Sequence, residues 1–290
     1  ELIDLYRRDA HGDQTVKLNA PLLNRLDQLD RQAARRQGAQ RPERRKGKGK
    51  GPWDDRESSH KVERHTPKRW AVVDELNFLD MLPGIYFIFS RNGCDQAVEQ
   101  CINAGLELTS NGEVCRIRRI VDEMIDGQLS QEDLKALHFS QFRFALEEGF
   151  APHHAGMIAL FRQIVERLFE EGLVKVVFAT ETLALGINMP ARCVVVEKLE
   201  KYDGTGHVGL TPGEFTQLTG RAGRRGIDTI GHAVVVDHRG FVPATAAALS
   251  SKRVYPLHSS FRPTFNMAVN LLNSSDYETA RITLDHSFAQ

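Results

Sequence analysis

The chain has 290 residues, with 38 Lys plus Arg against 38 Asp plus Glu, for a formal net charge of zero. At 41% hydrophobic and 26% charged residues it holds enough apolar material for a core, which excludes fibrous, collagen-like and wholly disordered classes. No apolar run reaches the roughly 18 residues of a membrane-spanning helix, so no membrane partner is expected.

The first residues, ELIDLYRRDA, place charges where a signal peptide carries its apolar stretch and lack an initiator Met, so the chain is expected to be part of a longer one. From Arg35 to Lys50, RRQGAQRPERRKGKGK carries eight basic residues and one acidic, net +7 over sixteen positions. Such a run buries too little to offset the entropy of ordering. It reads as a mobile basic loop, either a solvated spacer or an arm that grazes phosphates. Val72, Val73, Leu76 and Leu79 recur at helical spacing through AVVDELN, which places Asp74 and Glu75 on a solvated helix face rather than in a metal-binding pair.

IYFIF (85–89) is a buried strand, and CDQAVEQCINAG is a helix ended by Gly105. Cys94 and Cys101 share one buried face of it. With Cys115 and Cys193 they form no CxxC pair, which fits a reducing, cytoplasmic setting. Ser110 and Glu113 make a capping-box pattern ahead of VCRIRRIVDEMID, and Ser130 opens another acidic-led turn at QEDLKAL. MIALFRQIVERLFEEG is amphipathic, with Ile158, Phe161, Ile164, Val165, Leu168 and Phe169 on one stripe. LVKVVFAT and RCVVVEK are strands, a helix runs through EFTQLTGRAG, and HAVVVD is a last strand. Continuous apolar strands alternating with helices predict an α/β fold, a mainly parallel sheet covered by helices on both faces. After Gly240 the pattern is helical: VPATAAALSS, FRPTFNMAVNLLN and SDYETARITLDHSFAQ.

Two tempting motifs fail. KGKGKGPW lacks the spacing of a phosphate loop and follows no strand, and no GxGxxG follows any strand. Three segments carry chemistry. In QLTGRAGRRGID (217–228), glycines alternate with Arg221, Arg224 and Arg225, so several guanidiniums can reach one compact anion, for which a triphosphate is the natural ligand. VVFATETLALGINMPA (176–191) runs from a strand into Thr180, Glu181 and Thr182, where a parallel sheet places its ligands, and Gly186 with Asn188 permits a tight turn. FAPHHAGM (150–157) is a short strand ending in two histidines before a helix. His153 and His154 face opposite ways and cannot share a metal, whereas His154 and the Gly156 backbone suit a phosphate.

Taken in order, IYFIFSRNGCDQA, HHAGM, VVFATETLALGINMPA, QLTGRAGRRGID and FRPTFNMAVNLL resemble the second RecA-like domain of superfamily-2 helicases, over about residues 70–272. More narrowly, they are similar to the Ski-like, exosome-associated RNA helicases and their actinobacterial HelY-type relatives. The resemblance implies that Gln217, Arg221 and Arg224 face ATP, with Arg224 as the arginine finger and Arg221 its companion. It implies that Gly186 and Asn188 lie by the nucleotide, and that Ser90, Arg91, His154, Gly156, Thr180 and Thr182 line an RNA track. ATP and magnesium would be held mainly by a first RecA-like domain, whose phosphate loop and DExH pair are not in this sequence. On the same resemblance, residues 1–69 are an interdomain connection with a basic insertion, 70–240 the second RecA-like domain, and 241–290 the truncated start of a winged-helix domain. RNA, the first RecA-like domain of the same parent chain and RNA-decay factors are the implied partners. Two alternatives stay open. One is a DNA helicase of the same superfamily, against which stands Arg225 where that group has Pro. The other is a non-catalytic RecA-like module binding RNA or protein, against which stand Gln217, Arg221 and Arg224.

Overall fold

Short strands that are apolar on both sides must be covered on both faces, and five such strands set the architecture. The computed structural model describes residues 1–9, 14–39, 66–184, 189, 191–202, 204–238, 240–251 and 264–286. The elements run β1 (Tyr6–Arg8), β2 (Gln14–Leu18), α1 (Ala20–Ala39), α2 (Arg69–Phe78), β3 (Gly84–Phe87), α3 (Arg91–Asn103), α4 (Asn111–Ile125), α5 (Gln131–Ala136), α6 (Phe139–Glu147) and β4 (Phe150–His153). They continue with α7 (Ala159–Glu170), β5 (Val176–Ala179), a single 3-10 turn (Glu181–Ala184), β6 (Cys193–Val196), β7 (Glu200–Tyr202), β8 (His207–Gly209), α8 (Pro212–Thr219), β9 (His232–Val235) and α9 (Pro243–Ser251). Helices α10 (Phe265–Ser274) and α11 (Tyr277–Asp285) follow. Contacts divide the chain into two units, Glu1–Ser251 and Lys252–Gln290. No helix among the described residues is long and apolar enough to cross a membrane.

In the first unit the sheet order is β4-β5-β3-β6-β9, and every pairing is parallel. The registers put His153, Ala179, Phe87, Val196 and Val235 in one row, so all five strands end level. Successive side chains alternate faces. Phe87, Ala151, Val177, Val194 and Val196 pack with α4, α7 and α8 in one core, while Tyr86, Phe150, Phe178 and Val195 pack with α2 and α3 in the other. The predicted stripe of α7 is realised from Phe161 on, with Phe161, Ile164, Val165, Leu168 and Phe169 all buried, while Ile158 precedes the helix and is half-buried. The predicted face of α2 is realised in part: Val73 and Leu76 are buried and Asp74 is exposed, but Glu75 is half-buried and Leu79, just past the helix, is exposed. Cys94 and Cys101 are buried free thiols, both pushed up to about 12 by burial.

Two features differ from the sequence reading. The helix expected through EFTQLTGRAG stops at Thr219, four residues early, because Gly223 and Gly226 adopt φ of 90° and 78°, which turns the arginine-bearing segment into a loop. The first 39 residues also contribute more structure than was read. Strands β1 and β2 pair antiparallel, Leu26 of α1 enters the core, and the Tyr6 hydroxyl donates to the Ala247 carbonyl of α9 at 3.1 Å. Of the basic run Arg35–Lys50, residues 35–39 finish α1, and residues 40–50 lie outside the described residues.

Candidate functional site

Parallel strands that end level gather the residues following them along one rim, the carboxyl rim of the sheet. Ser90 follows β3 and caps α3, its hydroxyl accepting the Gly93 N–H at 3.2 Å, and Arg91 opens that helix on the surface. His154 follows β4. Its Nδ1 accepts the Gly156 N–H at 3.1 Å, which leaves Nε2 to carry the proton and donate to Asp95 Oδ1 of α3, also at 3.1 Å. A Cβ added at Gly156 would lie 3.1 Å from His154 Nδ1 and 3.5 Å from Arg91 Cδ, so Gly156 sits close to both side chains. Thr180 follows β5; its N–H donates to the His153 carbonyl at 3.3 Å, and its hydroxyl shares a 2.9 Å hydrogen bond with that of Thr182. Because β4, β5 and β3 are neighbours, Ser90, Arg91, His154, Gly156, Thr180 and Thr182 come together on this rim.

The two histidines do diverge: His153 Nε2 meets Glu166 Oε1 of α7 at 2.8 Å, on the face opposite α3. Burial lowers the His153 pKa, outweighing Glu166. One expectation changes. Helix α7 begins only at Ala159, and the Gly156 N–H points at His154 rather than forming part of a helix terminus.

Two supports of the rim were missed in the sequence. Arg69 grips Glu197, just beyond β6, through a fork (2.6 and 3.0 Å) and donates to the Gly93 carbonyl at 3.0 Å, fixing the start of α3 against the central sheet. Lys201 of β7 reaches Glu181 at 2.8 Å and Glu214 at 2.7 Å, tying the threonine turn to the first turn of α8. Neither is legible from periodicity, since each pairs with residues far away in the sequence.

Helix α8 then crosses the sheet toward the opposite, amino rim. Thr211 and Glu214 form its capping box, Phe215 and Leu218 are buried, and Gln217 is exposed. Backbone hydrogen bonds pin the loop beyond it: the Ala191 N–H donates to the Arg221 carbonyl at 3.0 Å, and the Gly223 N–H to the Ala191 carbonyl at 2.7 Å. Gly231 packs against Ala222 so closely that a Cβ there would lie 2.5 Å from three backbone atoms. Within the loop the Arg224 guanidinium holds Asp228 through Nε and Nη2, each at 2.8 Å, while the Arg224 N–H donates to the same carboxylate at 2.9 Å. Those hydrogen bonds hold the Asp228 carboxyl at about 2. Arg225 is exposed.

Thr180 stands level with Glu197 across the sheet, six residues beyond Ala191, to which the arginine loop is bonded. At about 3.3 Å per residue the two clusters are therefore separated by about 20 Å along the strands. Gly186 and Asn188, on the path from Thr180 to Ala191, lie outside the described residues.

The helicase conserved C-terminal domain matches residues 117–226, from α4 through the arginine loop. The chain is 53% identical over 224 residues to "Probable helicase HelY" of Mycobacterium tuberculosis, covering 77% of this chain and 25% of that protein. It is 47% identical over 295 residues to "Probable helicase HelY" of Mycobacterium leprae, covering 100% of this chain and 31% of that protein. It is 36% identical over 233 residues to "DExH-box ATP-dependent RNA helicase DExH11" of Arabidopsis thaliana, covering 78% and 17%. Ski-like helicases match at 37–41% identity. The chain spans 17–31% of the length of the three proteins named.

Proposed function

We propose, from the premise that this chain carries the helicase conserved C-terminal domain and belongs with the HelY-type and Ski-like helicases, that it is the second RecA-like half of the motor of a longer, ATP-dependent RNA helicase. Gln217, Arg221 and Arg224 at the amino rim face ATP bound to a first RecA-like domain of the same protein. Ser90, Arg91, His154, Gly156, Thr180 and Thr182 at the carboxyl rim contact the RNA. Gly186 and Asn188 belong to the segment joining the two. The observation that carries this reading is the separation of an arginine loop from a hydroxyl and histidine cluster at opposite rims of one parallel sheet. One module can then respond to phosphate on one side and to nucleic acid on the other.

Arg224 supplies a cation where charge develops on a transferring phosphoryl group, the role of an arginine finger. Among the described residues no group of three His, Cys, Asp or Glu side chains could hold a metal ion. The proposal therefore assigns magnesium to the first domain, leaving electrostatic completion of the site to this one. RNA is preferred over DNA because a 36% identical relative carries RNA in its name and because Arg225 follows GRAGR. RNA-decay factors are proposed as partners on the Ski-like similarity. A cytoplasmic setting is proposed on the four free thiols.

The test compares ATP turnover and duplex separation by the longer protein and by this chain alone, each with RNA and with DNA. The longer protein is expected to turn over ATP when RNA is added and to open RNA duplexes, and this chain alone to do neither. Stimulation by DNA only would move the reading to the DNA-helicase alternative. RNA-stimulated turnover by the isolated chain would overturn the division of labour.

A further inference from the structure

A guanidinium has two usable hydrogen-bonding edges, one formed by Nε and Nη2 and one by Nη1 and Nη2. In this structure the first edge of Arg224 is fully committed to Asp228, with Nε on Oδ2 and Nη2 on Oδ1, both at 2.8 Å. The second edge, with Nη1, meets no partner among the described residues. The carboxylate is itself fixed. Asp228 Oδ2 also accepts the Arg224 N–H at 2.9 Å, and the Arg224 carbonyl accepts the N–H groups of Ile227 and Asp228 at 3.0 and 2.9 Å. The side chain of Asp228 is 7% exposed against 26% for Arg224, so the acid is enclosed while the arginine reaches the surface. The loop that carries both is anchored to Ala191 and packed against Gly231.

We propose that Asp228 is a positioning residue that holds the Nε edge of Arg224 so that the Nη1 edge alone is presented to the γ-phosphate of ATP. This rests on the assignment of Arg224 to the nucleotide. A long arginine side chain loses much rotamer freedom when it engages a phosphate, and a fork already held on one edge loses less at that moment. Phosphoryl transfer is catalysed mainly by positioning and charge, so a loosened arginine lowers the rate of the chemical step more than it weakens ATP binding. A lysine at position 224 has no second edge to be held. The acid and the arginine thus form one unit, and the depressed Asp228 carboxyl keeps that unit charged throughout the range where the protein would work.

The experiment is a double-mutant cycle in the full-length helicase, reading RNA-stimulated kcat, KM for ATP, RNA affinity without nucleotide and Tm. Asp228→Asn keeps the shape and an acceptor for the Arg224 N–H but weakens the grip on the guanidinium. It is expected to lower kcat about 10- to 100-fold, with KM and RNA affinity close to those of the parent and a lower Tm, since the carboxylate also holds the loop. Arg224→Ala is expected to lower kcat further, and adding Asp228→Asn to it should change nothing more, because the acid acts only through the arginine. Asp228→Glu, which keeps the charge with a longer reach, should recover part of the lost kcat. It carries the test if the Asn variant melts early. Parental kcat in Asp228→Asn beside a crippled Arg224→Ala overturns the positioning role alone, as does an additive loss in the double variant. Parental kcat in Arg224→Ala overturns the assignment of the arginine itself, and this inference with it.

Discussion

Gly231 shows how a single side-chain position can decide whether the arginine loop exists. Its φ is not in the left-handed region; what demands glycine is space, since a Cβ would sit 2.5 Å from the carbonyl carbon and oxygen of Ala222 and from the Gly223 nitrogen. All three are backbone atoms and cannot swing aside. Gly231→Ala is therefore expected to lower stability by about 1–3 kcal/mol, the usual range for forcing an extra carbon into a packed site. Urea unfolding of the chain reads it directly, and unchanged stability would show that the loop can shift at no cost. The glycine and arginine alternation of residues 217–228 was visible in the sequence. The hold of Asp228 on Arg224 was not, because a carboxylate four residues along a non-helical loop has no periodicity to announce its partner. The same is true of Glu197, whose grip by Arg69 joins residues 128 positions apart.

Helix α4 illustrates what a capping pattern can and cannot say. The Ser110 and Glu113 box was legible and is present, with the Ser110 hydroxyl accepting the Glu113 N–H at 3.4 Å and the Glu113 carboxylate accepting the Ser110 N–H at 2.8 Å. The third partner was not legible: Lys175 reaches Glu113 at 2.5 Å from the turn before β5. Burial alone would push the Glu113 carboxyl up, but hydrogen bonds from Lys175 and Ser110 and the lysine charge together hold it at about 2, below its ordinary 4.5. A carboxyl depressed in the folded state contributes stability that is complete above the unfolded value and is lost as pH falls through the folded one. Glu113→Gln should thus destabilise the chain by on the order of 2 kcal/mol at pH 7. Its deficit against the parent should shrink as pH drops from about 4.5 toward 2. Urea midpoints across that range are the measurement, and a deficit independent of pH would mean that the carboxylate charge contributes nothing. Helix α8 marks the other limit: the helix was read through EFTQLTGRAG without its Thr211 and Glu214 capping box, and its end was misread because small residues between arginines were taken as helical when two of them adopt positive φ.

Across the first unit, the alternation of continuous apolar strands with helices made the parallel α/β sheet legible, and each strand taken from the sequence is present. Strand order was beyond reach, because these strands are apolar on both faces and any of them could occupy the centre. Strand order decides which strand ends are neighbours on each rim. Because β4, β5 and β3 are neighbours, Ser90, His154 and Thr180 lie side by side on the carboxyl rim, whereas Arg221 and Gly223 are bonded to Ala191, ahead of β6, at the other. The central claim is that these rims do different work, nucleic acid on one and nucleotide chemistry on the other. Its most direct test is RNA affinity without nucleotide and saturated ATP turnover, measured side by side for Arg224→Ala and Thr180→Ala in the full-length helicase. Arg224→Ala is expected to lower turnover by roughly 10³-fold or more with RNA affinity close to the parent's, and Thr180→Ala to weaken RNA binding while ATP still binds. Equal loss of RNA binding in both variants, or near-normal turnover in Arg224→Ala, would contradict the assignment of the two rims.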